Sequence, residues 1–464
     1  MFFRQYQLGC LSLFSYMVGD TTTGRAVVVD PQRDVSQYLE DARAHGLRIE
    51  RVIETHVHAY FLSGHLELAA ATGAVVSYGR EARTDFPVEP LSHGQRLVLG
   101  EVVLEVRETP GHTPESISIV VWERASDPKP WGVLTGDTLF VGDVGRPDLL
   151  ASQGWAPEEL ARRLYRSLHE QLLSLPDSTR VFPAHGAGSA CGKHMSSATS
   201  STIGEQRATN YALAPMGVEE FVAVVTQSQS VAPLYFPFAS EANRHPHALL
   251  DEGQAPPAVS LEEALALRRQ GGVVLDTRPP ESFASGHLEG SINVGLDGRF
   301  AEYAGSVVRP GQPVVLVCEP GREQEARVRL GRIGFDQVAG WLPRIEALLL
   351  ERPELARRAP RLPASEAAAW QQEEPALQVV DVRNPSEHQA GLLAGARPLP
   401  VSRLAERLGE LDPGRPTLVY CSGGYRSSVA ASLMRSAGFA TVADLLGGFD
   451  AWRAAGLPVS PASA

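Results

Sequence analysis

Cysteine is scarce: there are four in 464 residues, Cys10, Cys191, Cys318 and Cys421, with no CxxC pair among them. That excludes a disulfide framework and a ribbon-type zinc site and suits a reducing compartment, so each thiol must be weighed singly. Long apolar runs are missing too; none approaches the roughly 18 residues of a membrane span. The start, Met1-Phe2-Phe3-Arg4-Gln5-Tyr6, is too polar for a signal peptide, and a soluble cytoplasmic protein is expected. Positive charge is outnumbered, with 42 Lys+Arg against 54 Asp+Glu and a net charge of −12. Such a chain repels a phosphate backbone, which argues against nucleic acid and anionic membranes as partners. What is present reads as globular, with 43% hydrophobic and 21% charged residues. At roughly 100–200 residues per domain, the length predicts two to four domains.

Residues 1–248 alternate short β-branched runs with Gly-rich turns and helical stretches, so polar residues recur at strand ends, the usual site geography of α/β folds. Asp251-Glu252-Gly253-Gln254-Ala255-Pro256-Pro257 has the composition of a linker. Beyond it the chain repeats with a period near 105 residues: Val274-Leu275-Asp276-Thr277-Arg278 matches Val379-Val380-Asp381-Val382-Arg383. Gly286 and Gly290 match Gly391 and Gly395, and Val317-Cys318 matches Tyr420-Cys421. That period is far longer than the roughly 20–50 residues of solenoid units and predicts duplicated domains. Three domains are expected, at 1–248, 256–356 and 362–460, the last two being small α/β domains with mostly parallel sheets joined by the Pro- and Arg-rich stretch Arg357–Pro363.

Four elements of the first domain carry chemistry: Thr55-His56-Val57-His58-Ala59-Tyr60-Phe61, Pro110-Gly111-His112, Thr135-Gly136-Asp137, and Pro183-Ala184-His185-Gly186. In this order they resemble the metallo-β-lactamase superfamily, whose signature T-H-x-H-x-D-H is followed downstream by His, Asp and His. The resemblance implies an αββα sandwich. The signature's Asp and last His, which bind the second metal of two-metal hydrolases, are Tyr60 and Phe61 here. Phenylalanine cannot ligate, and a neutral phenol replaces carboxylate poorly, so a two-metal site is disfavoured. His56, His112 and Asp137 remain, a set that suits non-heme Fe(II) with open positions and is also legal for zinc. His58, Tyr60 and His185 are placed behind these ligands rather than on the metal. His65 and His194 are expected to be structural or solvated.

A closer resemblance, to persulfide dioxygenases, rests on Asp30-Pro31-Gln32-Arg33-Asp34, Gly142-Asp143-Val144-Gly145-Arg146-Pro147-Asp148, Ala184–Ser189 and Ser201–Asn210. It implies one Fe(II) per chain on His56, His112 and Asp137, O₂ as co-substrate, and oxidation of a thiol persulfide such as glutathione persulfide to sulfite. It makes Arg146 the candidate anchor for an anionic substrate group, since guanidinium is a planar, always-charged fork. It also implies a homo-oligomer.

Cys421-Ser422-Gly423-Gly424-Tyr425-Arg426 sits between a strand and a helical run. Backbone amides at a helix N-terminus, the helix dipole and Arg426 would together stabilise a thiolate or persulfide anion. The loop, with Asp381-Val382-Arg383 and Gly447-Gly448-Phe449-Asp450, resembles rhodanese (sulfurtransferase) domains. That assigns Cys421 as the sulfur carrier and Ser422, Gly423, Gly424 and Tyr425 as the cradle, with sulfite and thiosulfate as partners. In the first copy, Glu319 and Glu323 would raise the Cys318 thiol and Pro320 removes an amide, so that copy reads as degenerate, with a structural or docking role. Cys191, on a Gly-rich loop near Lys193, is a candidate second persulfide carrier, and Cys10 reads as a core strand residue.

The whole is read as a bifunctional persulfide dioxygenase and sulfurtransferase. Two competitors stay open: a zinc-dependent thioester hydrolase of the glyoxalase II type with an attached rhodanese, and a non-catalytic first domain that presents sulfur carriers to the rhodanese.

Overall fold

A computed structural model describes residues 1–227, 229 and 231–461. The chain forms two compact units, one from residues 1–229 and 236–250 and the other from 230–235 and 251–464.

In the first unit, β-branched runs alternate in period two and so face opposite ways. The strands Phe2–Leu8, Leu13–Asp20, Arg25–Val29, Arg48–Ile53, Val75–Gly79 and Glu89–Leu91 form one sheet in chain order, antiparallel at first and then parallel. A second six-stranded sheet orders Ser201–Thr202, Arg180–Pro183, Gly132–Gly136, Ile117–Trp122, Val103–Glu108 and Arg96–Val98. Val27 and Val29 of the first sheet meet Ile119 and Val121 of the second in one buried core. Val28, between them, points outward to Tyr38, Ala42 and Leu68 of helices Ser36–Ala44 and His65–Thr72. Val120 likewise turns away, toward Leu164 and Phe221 of helices Pro157–Arg166 and Val218–Thr226. The result is the αββα sandwich. Each such side chain removed from water contributes about 1.5–3 kcal/mol, which sets the register firmly.

The second unit holds two parallel sheets. The first orders Ile292–Asn293, Val273–Asp276, Val314–Val317 and Val338–Trp341; the second orders Arg361–Leu362, Val442–Leu445, Thr417–Tyr420, Gln378–Asp381 and Ala396–Pro398. The duplication extends to buried ion pairs. Arg278 bonds Asp276 at 2.6 Å and the Gly286 carbonyl, while Arg383 bonds Asp381 at 2.6 Å and the Gly391 carbonyl.

Two local expectations need correction. The stretch 357–363 is no free linker: Ala356–Arg357 pairs with His287–Leu288, and Arg361–Leu362 adds an edge strand beside Val442–Leu445. Pro360 and Pro363 lie just outside Arg361–Leu362, so the missing N–H groups do not interrupt that ladder. Cys10 lies in a 3₁₀ turn, Gly9–Leu11, and is half-buried rather than a core strand residue.

Candidate metal centre and thiol loop

Five polar residues lie within four residues of strand ends of the first unit: Asp30, His56, His112, Asp137 and His185. The chain brings them together as a buried cluster. His56 Nε2 lies 3.8 Å and His112 Nε2 lies 3.4 Å from Asp137 Oδ2, and one donor atom from each residue falls within 4.8 Å of the others. Both imidazoles are held in a fixed tautomer. The His112 Nδ1–H donates to the Arg146 carbonyl at 2.8 Å, and His56 Nδ1 meets the Thr55 hydroxyl at 3.0 Å. Thr55 is in turn held by Asp30, which accepts from its N–H at 2.7 Å and its hydroxyl at 2.8 Å. Asp30 takes the left-handed conformation, φ 51°, at a cost of about 1–3 kcal/mol that these bonds offset.

Burial keeps His56 well below its usual value and lowers His112, so both are neutral and can donate a lone pair. Burial opposes ionisation of Asp137, but His185, which bonds it, leads the groups that override this and hold the carboxyl far below the carboxylate range. His185 Nδ1 bonds Asp137 Oδ1 at 2.7 Å, whereas among the described residues buried Oδ2 has no hydrogen-bond partner. An ionised, dry carboxylate oxygen facing two neutral imidazoles is costly unless a cation sits there. The residues therefore fit a single divalent ion. Gly145 shapes the rim, since a Cβ there would lie 1.9 Å from the Asp137 carbonyl oxygen.

Of the other imidazoles, His58 is spoken for. His58 Nε2 sits between Asp30 Oδ1 at 3.0 Å and Glu54 Oε2 at 3.1 Å. Burial would lower it, but the two carboxylates push it up to about 10, so it is an imidazolium and no ligand. Tyr60 is 1% exposed and packs edge-on against His185 and Phe236, with ring centroids 5.5 and 5.3 Å away. Phe61 covers His58 at 4.4 Å. Rings thus occupy the ground where a two-metal site keeps its carboxylate and last histidine. His65 is fully buried beside Glu54, and His194 is exposed.

Arg146 is 3% exposed, and its guanidinium pairs with both oxygens of Asp148 at 2.7 Å. It also donates to the Ala190 carbonyl, and its N–H to the Cys191 carbonyl, so it braces the loop that carries Cys191. Cys191 lies within 4.8 Å of donor atoms of Asp137 and His185. Burial and then Asp137 push its thiol far up. Lys193 does not help, because its ammonium donates to the Val224 and Gln227 carbonyls.

In the second unit, strand Thr417–Tyr420 delivers Cys421 to a loop that turns at Gly424, φ 96°, into helix Tyr425–Ser436. The Gly424 N–H donates to Cys421 Sγ at 3.1 Å, and the Ser427 hydroxyl stands 3.6 Å away. Gly423 at the tip is exposed, while Ser422, Tyr425 and Arg426 are half-buried. Gly448 lets the next loop close on this one, since a Cβ there would lie 2.4 Å from the Cys421 carbonyl oxygen. Arg426 is not a free cation: Glu387 grips it in a two-pronged pair at 2.6 and 2.7 Å. In the first repeat, burial, followed by Asp276 and Glu323, pushes Cys318 up to about 12.

Several supporting residues escape a reading of the chain. Glu54 and Glu387 are ordinary acids in sequence. Asn243, whose amide bridges the His58 and Phe61 carbonyls at 2.8 Å, lies about 180 residues away along the chain. Only the Asp30-Pro31 step after a strand gave a local signal.

Comparison with known proteins agrees with this geometry. A model of the metallo-beta-lactamase superfamily matches residues 8–185, and the rhodanese-like domain matches at 260–341 and 363–455. Persulfide dioxygenase ETHE1, mitochondrial, of Bos taurus is 30% identical over 234 residues, covering 50% of this chain and 82% of that protein. The Homo sapiens protein of the same name is 30% identical over 237 residues, with the same coverage. Among solved structures, a metallo-beta-lactamase from Staphylococcus aureus subsp. aureus COL superposes with a TM-score of 0.66 at 32% identity, covering 73% of this chain and 98% of that one. Among the described residues no helix is long and apolar enough to cross a membrane.

Proposed function

Since this chain belongs to the persulfide dioxygenase family of the metallo-β-lactamase superfamily and carries two rhodanese-like domains, we propose that it oxidises a thiol persulfide with O₂ and exchanges sulfane sulfur at Cys421. We assign three working domains, 1–248, 256–356 and 362–460, in a cytoplasmic protein. Glutathione persulfide is the expected substrate, sulfite the product, and thiosulfate the partner of the transfer step. One observation carries the oxidative half: two neutral imidazoles facing a buried carboxylate oxygen that no group among the described residues hydrogen-bonds.

Fe(II), one per chain, would be held by His56 Nε2, His112 Nε2 and Asp137 Oδ2 and would supply O₂ activation beside the persulfide sulfur. The protein's own part is orientation and exclusion of water. Asp30, through Thr55, sets the His56 ring; the Arg146 carbonyl sets the His112 ring; and His185 occupies the other Asp137 oxygen. Tyr60 and Phe61 close the adjacent ground with apolar surface. Arg146 joins the His112 side of the centre to the Cys191 loop, and it can take a substrate carboxylate only by exchanging Asp148 for it. Cys191 can carry sulfur only once its loop opens, because the thiol is 3% exposed.

At Cys421 the chemistry balances without a redox partner. The sulfur lone pair of sulfite attacks the outer sulfur of a Cys421 persulfide. The bond to Cys421 breaks as the thiosulfate S–S bond forms, and Cys421 departs as a thiolate, which the Gly424 amide receives. Holding both reactions in one chain raises the effective concentration of sulfite at the second step.

The test is metal content together with glutathione persulfide-dependent O₂ uptake and sulfite formation. About one iron per chain is expected, and His56→Ala should abolish O₂ uptake while sparing sulfur transfer. Zinc without persulfide-dependent O₂ uptake would favour the hydrolase. Unchanged O₂ uptake in His56→Ala would overturn the assignment of the metal ligands.

A further inference from the structure

The first rhodanese-like repeat has a poor thiol of its own, yet it is built against the active loop of the second. Helix Phe300–Val307 packs on helices Val401–Arg407 and Tyr425–Ser436. The Tyr425 hydroxyl donates to the Gly295 carbonyl at 2.6 Å, and the Asn293 N–H donates to the Ser432 hydroxyl at 2.9 Å. Arg361, which also donates to the Gly424 carbonyl at 3.3 Å, pairs with Glu281 at 2.7 Å. The junction is therefore tied by bonds at the helix end of the Cys421 loop and along the helix that follows.

From this junction Tyr303 reaches the thiol loop. Its ring lies 5.4 Å from that of Tyr425, tilted by 55°. Its phenol is half-buried; burial pushes it up to about 12, and it lies within electrostatic reach of Glu302 and Arg299 and of the Arg426 guanidinium and the Cys421 sulfur. Among the described residues no group hydrogen-bonds this hydroxyl, whereas the neighbouring Tyr425 hydroxyl is satisfied. The cations around the loop are already committed: Arg426 to Glu387, and Arg361 to Asp444 and Glu281. The Gly424 amide is committed to the sulfur. Beside the remaining amides of the loop, an anion with several oxygens that meets Cys421 gains from a further donor, and a neutral phenol supplies one at little desolvation cost.

We propose that Tyr303, contributed by the first repeat, is a substrate-binding residue of the Cys421 site, its hydroxyl donating to an oxygen of the oxosulfur anion, sulfite or thiosulfate, that exchanges sulfur there. This rests on the sulfurtransferase reading of Cys421. It gives the degenerate repeat a part in specificity: Tyr303 favours partners with sulfonate-type oxygens over thiol persulfides, which have none at the reacting end.

The test uses the full-length chain with Tyr303→Phe, which keeps the ring and removes only the donor. Sulfur transfer to cyanide is measured with thiosulfate and with glutathione persulfide as donors. A hydrogen bond to a charged group corresponds to a loss of about 10- to 100-fold in kcat/KM for thiosulfate, carried by KM. For glutathione persulfide the change should stay within about threefold, and alkylation of Cys421 by iodoacetamide should keep its rate, showing an intact loop. Equal losses with both donors, or none with thiosulfate, would overturn the proposal. Tyr303→His, which retains a donor, should recover part of the thiosulfate activity; failure to exceed Tyr303→Phe would also count against it. Cys421→Ser run alongside separates the two levels, because surviving transfer in that variant removes the underlying assignment as well.

Discussion

The two cysteine loops share a backbone and differ in chemistry. Gly321 and Gly424 hold the same place with φ values of 86° and 96°, and each loop runs from a parallel strand into a helix. Around Cys421 the glycines leave an amide free to bond the sulfur, and the loop's arginine is present. Around Cys318 a proline replaces one glycine and Glu323 stands where Arg426 does. Among the described residues no backbone amide donates to that sulfur, and burial with nearby acids pushes the thiol up to about 12. Arg322 compensates only weakly, being bound to Asp297 and Glu325. A fold can therefore survive the loss of its anion site intact, because the scaffold rests on the buried Asp–Arg pair and the apolar sheet, which both repeats keep.

Four measurements press on that contrast, the strongest first. Cys421→Ser should lower thiosulfate-linked sulfur transfer by about 10³-fold or more, whereas Cys318→Ser should leave it within about twofold. If both variants lose activity alike, the first repeat is no bystander in the chemistry. Next, Asp381→Asn removes the carboxylate of the buried Arg383, at about 3–5 kcal/mol, whereas Asp276→Asn should cost less because Arg278 keeps Glu346 at 2.9 Å, and urea unfolding reads the difference. Equal losses would mean that the Glu346 pair adds nothing to the first scaffold.

The third concerns pH. Burial, only partly opposed by the bond to the Phe283 carbonyl, holds His287 down to about 4 against an ordinary value of 6.5, and the second repeat has Leu392 at this place. Between those values the unfolded chain takes up a proton that the native state does not. Stability from this site is complete above the ordinary value and is lost as pH falls toward the native one, on the order of 3 kcal/mol in all. His287→Leu should flatten that slope in urea melts between pH 7 and 4; an unchanged slope would show that other groups govern it. Last, Pro320→Gly with Glu323→Arg should raise alkylation of Cys318 by iodoacetamide at pH 8 by about three- to tenfold. No change would place the whole contrast in burial.

Legibility followed distance along the chain. The Cys421 loop, six adjacent residues between strand and helix, could be read directly, and so could the repeat and the histidine-bearing strand ends. Arg146 shows where reading stopped: its type and motif pointed to a substrate anion, and nothing in the sequence told that Asp148 already pairs with it or that it braces the Cys191 loop. His58 and His56 sit two apart in one motif, yet Asp30 and Glu54 remove one from the metal and, through Thr55, aim the other. Tyr303 carried no signal, since nothing near it in sequence resembles a sulfur site.

Taken alone, the amino-acid order determined the elements, because alternation, capping and glycine turns are local properties, and it determined the donor types available for chemistry. Which imidazole is neutral, which carboxylate oxygen is left dry, and which arginine is already neutralised were settled only when distant strands met. Charge and desolvation act through space over a few ångströms, and sequence spacing does not encode those distances.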